Sequence, residues 1–497
     1  MRLERFLLLA VVSGLVILSA CGTYPNGSVG VAGSGSSAPV TLTLSAPFTL
    51  GTQNNQPVGV TVISFQITLT GAVLQPGNIS LISSPQTVEL TQLQTDNFLL
   101  ETLNVPTGTY TSLDLTFSNP DMTIYNGPGS VANCTANTIC EFQPVLTTST
   151  VTLSPSLTLT AGAPSALELE LSVNDSLQSD LSFNLDSGLT VEQPSVSSDV
   201  AFLTLNTVAG QVAAVGTNQF TMTTMAGQSL TVTTNSSTLY GYPSTLCPGN
   251  NFACLASGQI ISVDANIVGG GGIQAAGIVF EDNSGLPMLE GTVVSLNTTA
   301  TPPAFGLVIH GQVPATNGIE IDNAATVTLQ NTTNYLVDAD ILTVPSGFTF
   351  GSTSDLVIGQ EMLVLGNTVN VTPVTNQPST IAISTDELIL RQSQWTAQVG
   401  LANVGTEEFT VDDLPTLFTS ITPTPTDNLF VEAETQTDFV NFTTNEISSG
   451  TPLTLKGLIF SNTTNQVTSP TDVPSIVQGA PDIGPALARG HSTTHRR

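Results

Sequence analysis

The stretch Leu103-Asn104-Val105-Pro106-Thr107-Gly108-Thr109-Tyr110, running on into Thr111–Phe117, decides the fold class. Its second half alternates apolar and polar side chains through Leu113, Leu115 and Phe117, which is the period of a half-buried strand. Its first half is a turn, because Pro106 fixes φ and Gly108 is able to take a positive φ. A tight turn therefore feeds a strand, with Tyr110 placed to plug the core of a sandwich. The alternation recurs on either side, at Phe65-Ile67-Leu69, Leu167-Leu169-Leu171-Val173, and Met222-Thr224 with Leu230-Val232. Threonine fills many outward positions, Gly, Pro and Asn interrupt the runs about every ten residues, and helical periodicity is nearly absent. The prediction is an all-β chain: an N-terminal antiparallel β-sandwich followed by two or three small OB-like β-barrel repeats.

The sandwich is expected over residues 41–195. Its segments Val88-Glu89-Leu90, Phe98-Leu99-Leu100 and Val105–Tyr110, with strands at Phe142–Leu159 and Leu167–Leu185, resemble an uncharacterised domain found at the N-terminus of bacterial lipoproteins. The Pro-x-Gly-x-Tyr turn is also similar to that of transthyretin-like and carboxypeptidase-regulatory-like sandwiches. The resemblance implies a β-sandwich and carries over no catalytic residue.

Beyond residue 200 the chain repeats itself. Gly210–Val215 corresponds to Gly291–Leu296 and to Ala397–Val399. Leu255-Ala256-Ser257-Gly258 corresponds to Leu356-Val357-Ile358-Gly359 and to Ile447-Ser448-Ser449-Gly450, each followed by an alternating strand. Repeats of this length, with five short strands each, fit small barrels at 205–283, 289–393 and, in degenerate form, 394–470. The pattern is similar to a second uncharacterised repeat family found downstream of the first domain in such lipoproteins. Residues 471–497 are Pro/Gly-rich and read as a disordered tail.

The N-terminus addresses the chain. Arg2 and Arg5 precede an apolar run from Phe6 to Leu18, shorter than the roughly 20 residues a membrane span needs and suited to a signal peptide. Leu18-Ser19-Ala20-Cys21 matches a lipobox, so residues 1–20 are expected to be removed and Cys21 to carry acyl chains, palmitate among them. Each buried methylene contributes about 0.8 kcal/mol to such an anchor. Residues 21–40 would form the lipidated cysteine and a flexible Gly/Ser tether. Gly22 and Thr23 lack the aspartate linked to inner-membrane retention, which favours the outer membrane of the cell envelope, on its periplasmic or surface face.

Charge excludes more than it assigns. The chain carries 37 acidic and 7 basic residues, a formal charge of −30. Between tether and tail only Arg391 and Lys456 are basic, so binding nucleic acid through its phosphates is excluded. An anionic lipid surface would repel this body, leaving the anchor to hold it at the membrane. Cys134/Cys140 and Cys247/Cys254 form two local pairs, read as disulfides of an oxidising compartment. The competing reading is a four-thiolate zinc site, which the lack of C-x2-C spacing disfavours.

Candidates for chemistry are few. His491 and His495 fall in the tail, and His310, at a strand end, has no G-x-S-x-G elbow to serve. Carboxylates cluster at Glu407/Glu408 with Asp412/Asp413, at Glu432/Glu434 with Asp438, and at Asp338/Asp340. A glycosidase would set two of them across a cleft with aromatic platforms, of which Trp395 is the one tryptophan available. Calcium could use the same oxygens, although no EF-hand loop is present. Gly269–Gly272 reads as a hairpin tip rather than a phosphate loop. The expectation is a lipid-anchored envelope protein of binding or structural type, without catalytic residues, resident metal or cofactor, touching glycan or another envelope protein. The alternatives are a carbohydrate-active accessory protein or hydrolase with an acidic site, and a calcium-stiffened adhesin.

Overall fold

The computed structural model describes residues 36–47, 59–127, 129–146, 149–198, 200–338, 344, 348–374, 377–403, 408–412, 414–419, 429–432, 448–461 and 475–479. The signal segment, Cys21, nearly all of the tether, and the tail apart from residues 475–479 lie outside the described residues.

Ten strands build the sandwich: β1 (Ser37–Ser45), β2 (Val60–Gln75), β3 (Ile79–Ser80), β4 (Gln86–Glu89), β5 (Phe98–Pro106), β6 (Gly108–Asn126), β7 (Thr138–Phe142), β8 (Ser149–Leu159), β9 (Ser165–Leu171) and β10 (Leu189–Glu192). One sheet has the order β10-β9-β1-β5. The other runs β3-β2-β6-β7, with β4 beside β2 and β8 beside β6. Leu42, Leu44, Phe65, Ile67, Leu113 and Leu169 meet between the sheets, so the alternation read in the sequence is the in-and-out pleat of these strands. The pairing is antiparallel with one exception: β1 runs parallel to β9, from Val40 beside Ser165 to Ser45 beside Glu170. No hairpin joins these two strands, and the chain between them is long enough to return in either direction.

Pro106–Gly108 is a corner where the chain leaves the β5 sheet and enters the β6 sheet. The Tyr110 hydroxyl donates to the Pro106 carbonyl at 2.8 Å and braces that corner from a buried position. Gly108 does not use the positive φ its residue type allows.

The remaining strands form barrels. Strands β11 (Ala201–Val215), β12 (Gln219–Thr224), β13 (Ser229–Thr233), β14 (Leu239–Gly241), β15 (Ile260–Val268) and β16 (Gly272–Asp282) make the first. Its order is β13-β12-β11-β15-β16, and a parallel β13–β16 pairing closes five strands into a barrel. The second uses β17 (Met288–Asn297), β18 (Ala304–Val313), β19 (Ala324–Val337), β20 (Glu361–Leu365), β21 (Thr368–Val374) and β22 (Gln377–Asn403). The order β19-β18-β17-β20-β22 is again completed by a parallel pairing, β19–β22. The third adds β23 (Glu408–Asp412), β24 (Leu429–Glu432), β25 (Pro452–Ser461) and β26 (Ser475–Gly479), with β24–β26 parallel and β22–β25 antiparallel. The boundary expected at 393/394 falls inside β22, whose first half serves the second barrel and whose second half begins the third.

The repeated glycines mark one turn used three times. Gly258, Gly359 and Gly450 have φ of 91°, 92° and 85°. Their amides donate to the carbonyls of Val212, Val293 and Val399 at 2.8, 2.8 and 2.7 Å. Only glycine adopts this conformation without strain, which accounts for its recurrence where little else is identical.

The domains pack on one another. Leu99 and Ala166, on the outer face of the β10-β9-β1-β5 sheet, are buried in the core of the first barrel. Ile63 and Tyr125 of the sandwich meet Val294 and Val308 of the second barrel and Leu417 beyond it.

Candidate functional site

The two basic side chains of the described residues, Arg391 and Lys456, mark where the domains converge. Lys456, on β25, reaches Asp96 in the sandwich loop before β5, at 2.9 and 3.1 Å from its two carboxylate oxygens. Asp96 also accepts from Gln394 on β22 at 2.6 Å and from Asn206 on β11 at 3.1 Å. One sandwich carboxylate is thus held by β11, β22 and β25. Gln394 fixes the same loop a second time, accepting from the Thr95 amide at 3.1 Å and donating to the Gln92 carbonyl at 3.1 Å.

Arg391 lies deeper, at 3 % exposure. Its guanidinium is 3.2 Å from Glu290 on β17 and 3.4 Å from Asp338 after β19, and it also donates to the Thr207 carbonyl of the first barrel. Ser262 links Glu281 and Asp338, at 2.7 and 3.4 Å. Asp264 accepts from the Thr207 amide at 2.7 Å. Carboxyls outnumber the cation here, and burial pushes Asp264, Glu281 and Glu290 above the ordinary carboxylate range while Arg391 pulls them back. Burial is the largest of these effects for each of the three carboxyls.

His310 sits inside β18, not at a strand end, and is buried. Its Nε2 is 2.8 Å from the Thr292 hydroxyl, which donates to Glu361 at 2.7 Å. His310 and Glu361 are 3.8 Å apart, close enough for an ion pair. Burial, however, lowers the imidazole pKa and raises that of the carboxyl, so both neutral forms are favoured.

Between these groups lies a cavity of about 140 Å³. Phe98, Leu99, Leu205 and Leu230 give it an apolar wall, and Asp96, Asn97, His310, Arg391 and Lys456 a polar one. Asn97, Ala226 and Gln228 at its rim are only half-buried.

A second acidic group joins the sandwich to the second barrel. The Thr123 hydroxyl donates to the Asp322 carbonyl at 2.8 Å. Burial and then Asp121 push the Asp322 carboxyl up to about 9, and burial followed by Asp121 raises Glu141 to about 7.

The residues singled out in the sequence are distributed differently. Cys134–Cys140 and Cys247–Cys254 are disulfide-bonded, each closing a local loop. Gly270 and Gly271, with φ of 93° and 79°, form the tip of the β15–β16 hairpin. Trp395 is 2 % exposed, packed 6.2 Å from Phe418 in the core of the third barrel, and is not a platform in a cleft. Asp338 is brought to Arg391, whereas Asp340 lies outside the described residues. Glu408 and Glu432 pair across β23–β24, and Asp412 pairs with Gln398. Glu407, Asp413, Glu434, Asp438, His491 and His495 lie outside the described residues. Among the described residues no three His, Cys, Asp or Glu side chains are grouped to hold a metal ion, and no helix is long and apolar enough to cross a membrane.

Asp96, Glu290, Gln394 and Glu361 escaped the sequence reading. The two glutamates carried a local signal, one inside the run Met288-Leu289-Glu290-Gly291-Thr292-Val293 and the other inside Gln360-Glu361-Met362-Leu363, whereas Asp96 and Gln394 carried none. A charge at an inward position of a strand implies a buried partner, and only two cations were available to be one. No family model matches the chain, and no curated protein does.

Proposed function

We propose that the chain is a lipid-anchored envelope protein of binding or structural type: exported by residues 1–20, acylated at Cys21, and tethered through the residues between Cys21 and β1, which takes Ser37–Val40 of the expected tether into the sandwich. Its β-domains form one body that meets uncharged or cationic envelope material, glycan or protein. The observation that carries this reading is where the cations go. Arg391 and Lys456 are both drawn into the domain junction, so the described surface carries acids without counter-charges. Such a surface repels nucleic acid and anionic lipid headgroups, and it leaves the anchor to determine location. The two disulfides fit an oxidising compartment outside the cytoplasm.

The test has two arms. Labelling cells with an alkyne-bearing palmitate should mark the wild-type protein in the membrane fraction, and Cys21→Ser should lose both label and membrane association. A labelled or membrane-bound Cys21→Ser protein would remove the anchor from the account. The purified protein is then applied to arrays of envelope polysaccharides, with calcium and with chelator. A saturable hit independent of calcium names the glycan; loss on chelation turns the reading toward a calcium-stiffened adhesin.

A further inference from the structure

The acidic group between the sandwich and the second barrel is assembled from three fixed elements. The Thr123 hydroxyl reaches the Asp322 carbonyl, so the face of β6 that carries Thr123 is the one laid against the second barrel. Met122 and Ile124 point the other way, into the sandwich core, and Asp121 therefore shares the Thr123 face. Glu141 of β7 stands opposite Thr123 in the ladder and joins the same face. Asp322 is fixed from the barrel side, its amide donating to the Ile309 carbonyl at 2.7 Å. Asp121 and Glu141 are half-buried, whereas Asp322 is 1 % exposed.

Neither carboxylate oxygen of Asp322 has a hydrogen-bond donor among the described residues. The charges that act on it are all acids, Asp121 first, then Glu141 and Glu89. The two basic side chains of the described residues are engaged at the other junction, Arg391 with Glu290 and Lys456 with Asp96. A buried carboxylate with neither donor nor counter-charge is costly, and it takes up a proton or a cation.

The donors select the cation. They are carboxylate oxygens, without histidine or cysteine, which suits a hard ion rather than zinc or copper. They come from separate elements of two domains, an irregular set that calcium accepts and the strict octahedron of magnesium does not. No three acidic side chains converge on one point among the described residues, so two carboxylates bind directly and water completes the shell from the half-buried side.

We propose that Asp121 of the sandwich and Asp322 of the second barrel form a calcium site that ties the two domains, with Glu141 holding a water of the ion's shell. The site depends neither on the lipid anchor nor on a partner at the surface. Without the ion, protons take its place on Asp322 and Glu141, whose pKa values burial and the neighbouring acids push up.

The probe is calcium itself, added to the chelator-treated full chain in micelles at pH 8 and followed by hydrogen–deuterium exchange. Exchange places the effect along the sequence, which separates this site from weak binding elsewhere on an acidic chain. The concentration is about 5 mM, above the roughly 10⁻⁴–10⁻³ M dissociation constants of extracellular calcium modules. Exchange of residues 121–123, 138–142 and 320–324 should slow roughly fivefold or more, as bound ion lowers the open population. Magnesium at the same concentration should leave these segments unchanged. Asp322→Asn and Asp121→Asn should each lose the protection. The melting of each variant is recorded without calcium, and because one residue is buried and the other half-buried, loss of fold in one leaves the other decisive. No protection of these segments would mean that protons alone hold the cluster. That result, an equal effect of magnesium, or protection that survives both substitutions would each overturn the proposal.

Discussion

At the scale of single residues, two cations among many acids hold the domain junction. Their scarcity was plain in the sequence; their location was not, because Arg391 and Lys456 sit far along the chain from Asp96 and Thr207, and only the packing of four domains brings them together. The cysteine pairs were legible because each closes a loop of a few residues. His310 reads as a polar residue at a strand end, since one polar side chain in Val308-Ile309-His310-Gly311 gives no sign that Thr292 waits on the neighbouring strand. Arg391→Met is expected to cost about 3–5 kcal/mol, because it leaves Glu290 and Asp338 buried without their counter-charge. Urea denaturation at pH 8 and at pH 5 checks this. The cost should be smaller at pH 5 than at pH 8, because burial raises the Glu290 carboxyl and the lower pH shifts it further toward the neutral form, which needs the guanidinium less.

At the scale of elements, periodicity carried most of the fold. Alternation located the strands, and the glycine of each repeat located the turn that starts the fourth strand of each barrel. What it did not show was which faces are covered. Leu167-Glu168-Leu169-Glu170 alternates like a strand with one wet face, yet Glu168 and Glu170 are buried too. Glu168 accepts from Ser45 and Glu170 from Thr190, so local hydroxyl donors on both neighbouring strands make that burial tolerable. Nor does periodicity reveal that β22 belongs to two barrels, since a strand that continues past a domain boundary has no punctuation there. The shared turn gives a graded prediction. Gly258→Ala and Gly450→Ala, where a Cβ meets open space, should cost about 1–2 kcal/mol from the left-handed backbone alone. Gly359→Ala should cost about 1–3 kcal/mol more, because its Cβ lands on the ring of Phe418. Denaturant midpoints of the three variants test the order, and equal costs would show that the Phe418 contact is unimportant.

At the scale of the whole molecule, buried carboxyls make stability depend on pH. Asp322 is raised to about 9 and Glu141 to about 7, and Asp264, Glu281, Glu290 and Glu361 are raised by burial. Above the ordinary carboxylate value the folded chain therefore binds more protons than the unfolded chain, and stability falls as pH rises. The contribution is full below about pH 4, where both states are protonated, and is lost through pH 7 to 9 as Glu141 and Asp322 ionise. The melting temperature should fall from pH 5 to pH 9, and Asp322→Asn should flatten the alkaline part of that decline.

Arg391 ties the first barrel to the second, Lys456 ties β25 to the sandwich, and together they hold the domains as one body. Calorimetric unfolding of the full chain at pH 6, wild type against Lys456→Met, tests it most directly. One cooperative transition is expected for the wild type, and for Lys456→Met an earlier melting of the sandwich, which loses its β25 contact while Asn206 and Gln394 still hold Asp96. Separate transitions in the wild type, at temperatures that Lys456→Met leaves unmoved, would contradict it.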